Sequence, residues 1–281
     1  MKLIADSGST KTSWCFIDDN KNTSFFSTTG INPFFRSSKD IETELREKLK
    51  ELFEKDIQQI IFYGAGIINE EKGNIVKSAL KTIFSNSNIE AHSDLLAAAH
   101  ATLGKSKGIA SILGTGSNSC FYNGNKITEH IPPLGFILGD EGSGAVLGRK
   151  LLGDYLKTIM PLPLREKFEA RFQFSYSEFM DGVYRKERPN LFLANLVPFI
   201  KENISERYCE ELIKTSFNEF VKRNISNYYN FQEVPLSFVG SVAFYFQEQL
   251  KSVLRENNLR LGIILKEPLN GLVNYYLEEI Q

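Results

Sequence analysis

Residues 3–18 read LIADSGSTKTSWCFID, and this stretch decides the fold that we expect. LIA (3–5) and SWCFID (13–18) are apolar, β-prone runs, and the turn between them, DSGSTKT (6–12), is polar and rich in small residues. Two such runs joined by a polar turn predict a β-hairpin. A third run, TSFFSTT (23–29), adds another strand.

Helices and strands alternate after this opening. Apolar residues recur every three or four positions between residues 41 and 53, which predicts a helix capped by Ser37 or Ser38. The other elements of this half are the strands IIFYG (60–64) and IEAH (89–92) and the helices at 75–84 and 93–103. The resulting order, βββαβαβα, is typical of an α/β fold.

The second part of the chain opens in the same way. GIASIL (108–113), GTGSNS (114–119) and CFYN (120–123) predict a second strand, turn and strand, in which Gly114 corresponds to Asp6. The remaining elements are a helix at 145–158, a helical insertion at 160–230, strands at 235–240 and 261–265, and helices at 242–256 and 268–280. The repeated architecture and the length of 281 residues predict two lobes.

Composition and charge exclude several classes of protein. The 33 Lys and Arg residues and 34 Asp and Glu residues give a net charge of −1, so we expect no nucleic-acid partner. No apolar run approaches the roughly 18 residues of a membrane helix, and MKLIADSG has no signal-peptide pattern, so we expect no membrane association. The three cysteines are widely spaced without a C-x-x-C, and no two histidines are spaced i, i+4. We therefore expect a reducing cytoplasm and no transition metal.

The two polar turns are the candidate phosphate loops. A phosphate needs backbone N–H groups pointing at it, and only small residues let the backbone come that close. Neither DSGSTKT nor LGTGSNS (113–119) matches a Walker A loop or a dinucleotide-binding fingerprint. Each alone can be a plain hairpin turn, but their occurrence at the start of both halves favours a shared function.

Four acidic residues are candidates for chemistry. Asp6 ends the first strand, where it either holds Mg²⁺ through water or forms an Asx turn. Asp94 begins a helix after a strand, so it is either a general base for phosphoryl transfer or a helix cap. Asp140 and Glu141 lie in GDEGSG (139–144), where capping explains one carboxylate and a polyhydroxyl ligand explains both.

FVGSVA (238–243) predicts a strand, a turn and the start of a helix. Gly240 and Ser241 in this turn either let a flat base approach closely or simply begin the helix.

Six motifs, taken in order, resemble those of the N-acetylglucosamine kinase family. They are DSGSTKT, GINPF, SDLLAAA, ILGTGSNS, GDEGSG and FVGS. This family is grouped with the BadF/BadG/BcrA/BcrD ATPases in the actin-like ATPase and sugar-kinase superfamily. The resemblance implies an α/β fold of two actin-like, ribonuclease H-like lobes with a central cleft for nucleotide and sugar. The first lobe would comprise residues 1–107 and 265–281, and the second residues 108–264 with the insertion.

The resemblance also implies roles for individual residues. Those matching the ATP-binding residues are Asp6, Ser9, Thr10, Lys11, Gly114, Thr115, Gly116, Gly240 and Ser241, with Asp6 also on Mg²⁺ through water. Those matching the sugar-binding residues are Asn32, Asn118 and Asp140, and Asp94 matches the catalytic base.

We therefore expect an ATP- and Mg²⁺-dependent kinase for the 6-hydroxyl of an amino sugar, foremost N-acetylglucosamine. Leu134-Gly135-Phe136 departs from the aromatic-Gly step that some family members carry before GDEG, so glucosamine and N-acetylmuramate stay open as substrates. An iron–sulfur activator ATPase of the 2-hydroxyacyl-CoA dehydratase or benzoyl-CoA reductase type and a non-catalytic sugar sensor are the alternatives. The oligomeric state is open, with a homodimer as one option.

Overall fold

Two five-stranded sheets form the framework of the protein within residues 1–8 and 10–278, which the computed structural model describes. Contacts within the chain divide it into two compact units. Residues 1–105 and the C-terminal segment from Glu267 form the first unit, and residues 106–266 form the second.

The first unit begins with three antiparallel strands and continues with alternating helices and strands. Its elements are β1 (Lys2–Ser7), β2 (Lys11–Ile17), β3 (Thr23–Thr29), α1 (Ser38–Lys48), β4 (Gln59–Gly64), α2 (Glu70–Ile83), β5 (Asn88–Ser93) and α3 (Asp94–Leu103). The strand order is β3-β2-β1-β4-β5, with β4 parallel to both β1 and β5. Ser7 pairs with Gly64, and Gly64 with Ser93, so these three strands end level with one another at one edge of the sheet.

The second unit repeats this plan and adds the helical insertion. Its elements are β6 (Lys107–Leu113), β7 (Ser117–Asn123), β8 (Ile127–Ile131), α4 (Gly135–Leu138), α5 (Gly144–Leu156), α6 (Leu162–Phe172), α7 (Tyr176–Tyr184), α8 (Pro189–Ala194), α9 (Val197–Glu202), α10 (Arg207–Arg223), β9 (Leu236–Val239), α11 (Ser241–Tyr245), α12 (Gln247–Glu256) and β10 (Leu261–Leu265). The strand order β8-β7-β6-β9-β10 has the same directions as the first sheet. The last helix, α13 (Leu269–Glu278), belongs to the first unit. The expected fold class, α/β with two actin-like units, is confirmed.

Successive side chains of β1 point to opposite faces of the first sheet, which explains why helices cover both faces. Leu3 and Ala5 enter one apolar cluster with α1 and α2, whereas Ile4 enters another with α3 and α13. Because successive side chains of a strand point to opposite faces, each face needs its own helical layer. The second unit has one large cluster, to which β6, β9, α12 and the insertion contribute.

The structure corrects three element boundaries. Helix α2 begins at Glu70 and not at residue 75, because Asn69 caps it by accepting a hydrogen bond from the Lys72 N–H at 3.0 Å. The helix expected at 242–256 is interrupted at Phe246 and forms α11 and α12. The short helix α4 was not expected at all, since its four residues are too few for a periodic pattern.

The three cysteines are buried, and none of them forms a disulfide. Cys15 lies in β2, Cys120 in β7 and Cys209 in α10, and burial raises their pKa values to about 11, 12 and 11. Among the described residues, no helix is both long and apolar enough to cross a bilayer.

Candidate functional site

A group of carboxylates lies at the edge of the first sheet where the parallel strands end. Asp6 is the penultimate residue of β1, and Asp94 is the first residue of α3. Burial raises the pKa of Asp6 to about 7, with the carboxylates of Asp94 and Glu267 adding to the rise and Lys11 opposing it. Burial also raises the pKa of Asp94, whereas the hydrogen bond from the Leu95 N–H at the helix start lowers it. Such a group favours a proton or a cation beside it.

Helix α3 is capped by Ser93 and not by Asp94. The Ser93 Oγ accepts a hydrogen bond from the Leu96 N–H at 3.2 Å, which is the ordinary N-cap contact. The capping alternative for Asp94 is therefore wrong. Its carboxylate lies at the positive end of the helix, where the Leu95 N–H favours its charged form.

The first polar turn is a tight connection between β1 and β2. The Gly8 N–H donates to the Lys11 carbonyl at 2.9 Å, and Thr10 and Lys11 are exposed. Ser9, which matches the same phosphate loop, lies outside the described residues. The assignment of this turn to phosphate stays a prediction.

The GINPF loop is tied to the same turn through Ser7. The Ser7 Oγ accepts from the Ile31 N–H at 2.9 Å and donates to the Ile31 carbonyl at 3.0 Å. Asn32 follows, and its Oδ1 accepts from the Phe34 N–H at 2.9 Å in an Asx turn. The side-chain oxygen of Asn32 thus has a local structural contact, and its amide nitrogen is the atom left to meet a ligand.

The second polar turn rests on the start of α5. Within the turn, the Gly114 N–H donates to the Gly116 carbonyl at 3.0 Å. From α5, the N–H groups of Gly144 and Ala145 donate to the carbonyls of Gly114 and Thr115 at 2.8 and 3.0 Å. These bonds fix the turn, so that its backbone is held in one conformation before any ligand arrives.

A cavity of about 470 Å³ in the second unit brings three of the expected nucleotide-binding residues together. Gly114, Thr115 and Ser241 line it, whereas Gly116 and Gly240 are not among its lining residues. Gly240 lies just behind, with φ of +124°, and its N–H donates to the Leu265 carbonyl at 2.9 Å. Its Cα packs so closely on Leu113 that a side chain there would overlap the Leu113 carbonyl oxygen.

The other walls of this cavity come from residues that sequence analysis missed. They lie mostly in α8, α9 and α11 and at the ends of these helices, and they include Leu191, Asn195, Val197, Pro198, Lys201, Tyr245 and Phe246. The insertion reads as ordinary helical sequence. No local pattern identifies which of its faces borders the turn, because long-range packing decides that.

The two carboxylates of GDEGSG have different surroundings. Asp140 has a left-handed φ of +53°, and its Oδ1 lies 3.3 Å from the Ser117 N–H, which donates to it. Burial raises the pKa of Asp140 to about 6, with repulsion from Glu141 adding to the rise and the Ser117 N–H opposing it. Its Oδ2 faces Gly116, where a Cβ would lie 3.1 Å away.

Glu141 is instead held by α10 and the residue after it. Its Oε1 pairs with Arg223 Nε at 2.5 Å, and its Oε2 accepts from Asn224 Nδ2 at 3.1 Å. Ser143 caps α5 by accepting from the Val146 N–H at 3.2 Å. The capping alternative for this loop is therefore wrong, and the two carboxylates differ in that Glu141 is held by Arg223 and Asn224.

Asn118 lies half-buried in β7. Its Oδ1 accepts from the Ser119 N–H at 2.9 Å and lies 2.8 Å from His130 Nε2. Within residues 1–8 and 10–278, no three His, Cys, Asp or Glu side chains are grouped as a metal-binding cluster.

The protein is similar to the crystal structure of the putative N-acetylglucosamine kinase of Porphyromonas gingivalis. The two chains are 42% identical, each is covered over 100% of its length, and the TM-score is 0.93. The chain belongs to the N-acetylglucosamine kinase family. Membership makes the protein a phosphotransferase of the sugar-kinase class.

More distant structures share the fold of this family member. The putative N-acetylglucosamine kinase of Chromobacterium violaceum is 16% identical, with a TM-score of 0.72 and 98% of each chain covered. The ROK hexokinase of Thermus thermophilus is 15% identical, with a TM-score of 0.52 and 99% of each chain covered. No protein-family model matches the chain, and no curated protein matches it.

Proposed function

We propose that the protein transfers the γ-phosphoryl group of ATP to the 6-hydroxyl of N-acetylglucosamine. The observation that carries the proposal is the position of Asp94, a carboxylate at the positive end of α3 whose capping role is already filled by Ser93. The 42% identity to a protein named for this activity supports the choice of sugar.

Asp94 is the proposed general base. It takes the proton of the 6-hydroxyl while the sugar oxygen forms its bond to the γ-phosphorus, and the bond from that phosphorus to the departing ADP oxygen breaks. Burial raises the pKa of Asp94, which brings the carboxylate closer to the neutral range in which a general base works best. Phosphoryl transfer otherwise depends mainly on positioning and on neutralising charge.

The cavity of the second unit is the proposed ATP site. Thr115 offers its hydroxyl to the phosphates, Gly114 leaves space for them because it has no side chain, and the turn at Gly240 and Ser241 is the proposed adenosine contact. Ser9, Thr10 and Lys11 of the first turn and Gly116 of the second stay predicted phosphate contacts on the family resemblance. The bonds from Gly144 and Ala145 support this assignment, because a turn fixed in advance loses little entropy when ATP binds.

Asp6 is the proposed Mg²⁺ ligand, acting through bound water. The surroundings of Asp6 fit a cation, since the carboxylates of Asp94 and Glu267 repel its charge. The lack of a three-ligand cluster among the described residues fits Mg²⁺, which keeps much of its water and binds through one or two carboxylates and the phosphates. When bound, Mg²⁺ would neutralise phosphate charge.

Asn32, Asn118 and Asp140 are the proposed sugar contacts. Asp140 is favoured over its neighbour because Glu141 is already occupied by Arg223 and Asn224. The iron–sulfur alternative is disfavoured because every cysteine is buried and has a raised pKa, whereas cluster ligands are thiolates. Glucosamine and N-acetylmuramate are the competing substrates.

The Asp94→Asn variant tests this proposal, with Ser93→Ala as the matched control. Removing a general base costs roughly 10² to 10⁴ in rate, so Asp94→Asn should lose kcat on that scale and still bind the sugar. Ser93→Ala removes the cap and should cost about 1 kcal/mol of stability while keeping most of kcat. Activity is measured as ADP release with N-acetylglucosamine, and phosphorus NMR identifies the phosphorylated hydroxyl. An Asp94→Asn variant as active as Ser93→Ala would show that Asp94 is not the base.

A further inference from the structure

The side-chain amide of Asn118 has a defined orientation. A backbone N–H can only donate, so the Asn118 atom 2.9 Å from the Ser119 nitrogen must be the oxygen. Asparagine oxygen and nitrogen are otherwise hard to tell apart by shape. Here the backbone contact distinguishes them, and the Nδ2 group with its two hydrogens is the other end of the amide.

His130 supplies a second donor to the same oxygen. Its Nε2 lies 2.8 Å from Asn118 Oδ1, and since this amide oxygen carries no hydrogen, the hydrogen of the contact belongs to Nε2. His130 is exposed, and partial desolvation lowers the pKa of its ring, which favours the neutral form that carries this hydrogen on Nε2.

Strand register brings His130 to this place. His130 on β8 pairs with Cys120 on β7, and Asn118 lies two residues earlier on the same face of β7. Diagonal neighbours of this kind are within reach of long side chains. The strand pair is also held by Tyr228, whose hydroxyl accepts from the Ile131 N–H at 3.2 Å and bonds the Ser119 Oγ at 2.8 Å.

An amide fixed in this way offers a ligand only hydrogen-bond donors. We propose that His130 is a positioning residue that holds the Asn118 amide with its N–H groups toward the sugar, and that it thereby favours an N-acyl sugar, whose carbonyl oxygen accepts, over a sugar with a protonated amine, which only donates. This inference rests on the proposed function, in which Asn118 contacts the sugar. It assigns a role in substrate choice to a residue that does not touch the substrate.

Kinetics with N-acetylglucosamine and glucosamine test the inference on His130→Phe, His130→Ala and His130→Gln. Loss of one hydrogen bond that orients Asn118 should raise KM for N-acetylglucosamine about three- to tenfold in the Phe and Ala variants. Their kcat should change less than about twofold, because the base and the phosphate contacts are untouched. KM for glucosamine should stay the same, so the preference for the acylated sugar falls. The Gln variant, whose amide can still donate, should recover most of the wild-type KM.

Thr128→Ala is the matched control, because Thr128 is exposed on the same strand and face as His130. It should leave both KM values unchanged, and melting temperatures should show that all variants fold. Equal KM values for wild type, Phe and Ala variants would overturn the inference, as would an equal rise for both sugars. Failure of the proposed function has another signature: the wild-type protein would phosphorylate neither sugar, and the inference would fall with it.

Discussion

Replacing Gly240 by alanine should damage the second unit and its nucleotide cavity together. Gly240 joins β9 to α11 with φ of +124°, a conformation that side-chain-bearing residues rarely adopt. A Cβ at this position would overlap the Leu113 carbonyl oxygen, and it would lie 2.7 Å from the Leu113 carbonyl carbon and 3.1 Å from the Gly114 nitrogen. All three atoms belong to the backbone and cannot rotate away.

The expected cost has two parts. A non-glycine residue in such a backbone conformation costs about 1 to 3 kcal/mol, and forcing extra volume into a packed site costs about the same. We expect Gly240→Ala to lower the free energy of unfolding by about 3 kcal/mol or more. For a unit of this size, that loss lowers the melting temperature by roughly 6 to 12 °C. The displaced segment leads into Gly114 and Thr115, so KM for ATP should also rise at least about tenfold.

Thermal unfolding and ATP kinetics of Gly240→Ala are compared with those of Gly153→Ala. Gly153 lies inside α5, and a Cβ there meets no atom within 4 Å. The free energy of unfolding of this control should rise by about 0.5 to 1 kcal/mol, because alanine has a higher helix propensity than glycine. If Gly240→Ala melted with the wild type and kept its KM for ATP, the close packing of Gly240 on Leu113 would not support the cavity.

Three further outcomes follow. Gly114→Ala should melt within about 2 °C of wild type, since a Cβ at this position meets no atom within 4 Å beyond its two chain neighbours. The variant should still raise KM for ATP about tenfold, because the methyl group occupies the space that a phosphate needs. A KM for ATP equal to that of the wild type would show that this turn does not bind ATP. Asp6→Ala should raise the Mg²⁺ concentration for half-maximal activity about 10- to 100-fold without changing KM for the sugar, as a Mg²⁺ titration measures; an unchanged titration would exclude Asp6 as a ligand. Burial lowers the pKa of His100 from 6.5 to about 4 in the folded protein. As pH drops from 6.5 toward 4, His100 therefore takes up a proton in the unfolded chain before it does so in the folded protein. The free energy of unfolding should fall over this range by up to roughly 3 kcal/mol. Urea unfolding at pH 6.5 and pH 4 should show this loss of unfolding free energy in the wild type and a smaller loss in His100→Gln. An equal pH dependence of the unfolding free energy in the two proteins would contradict the lowered pKa of His100.

Local sequence patterns were sufficient for the elements that carry the candidate site. Apolar residues between 41 and 53 predicted helix α1, although it ends at Lys48 and a short 3-10 helix follows at Lys50–Leu52. The runs around the two polar turns predicted the strands that the structure has, because strand periodicity depends on near neighbours in the chain. The same patterns missed the start of α2, since the first turn of that helix is polar and only Asn69 marks it. The ordered motifs were enough to identify the family.

Tertiary structure decided which polar groups are available for chemistry. Asp140 and Glu141 are adjacent in sequence, yet Glu141 is held by Arg223 and Asn224, far along the chain, whereas Asp140 accepts from the Ser117 N–H. The walls of the cavity come likewise from α8, α9 and α11, whose sequences look like ordinary helix. The sequence by itself determined where most strands and helices and the two polar turns occur, because these depend on residues a few positions apart. Partners, burial and pKa values depend on which distant residues the packed fold brings together, so only the tertiary structure decided them.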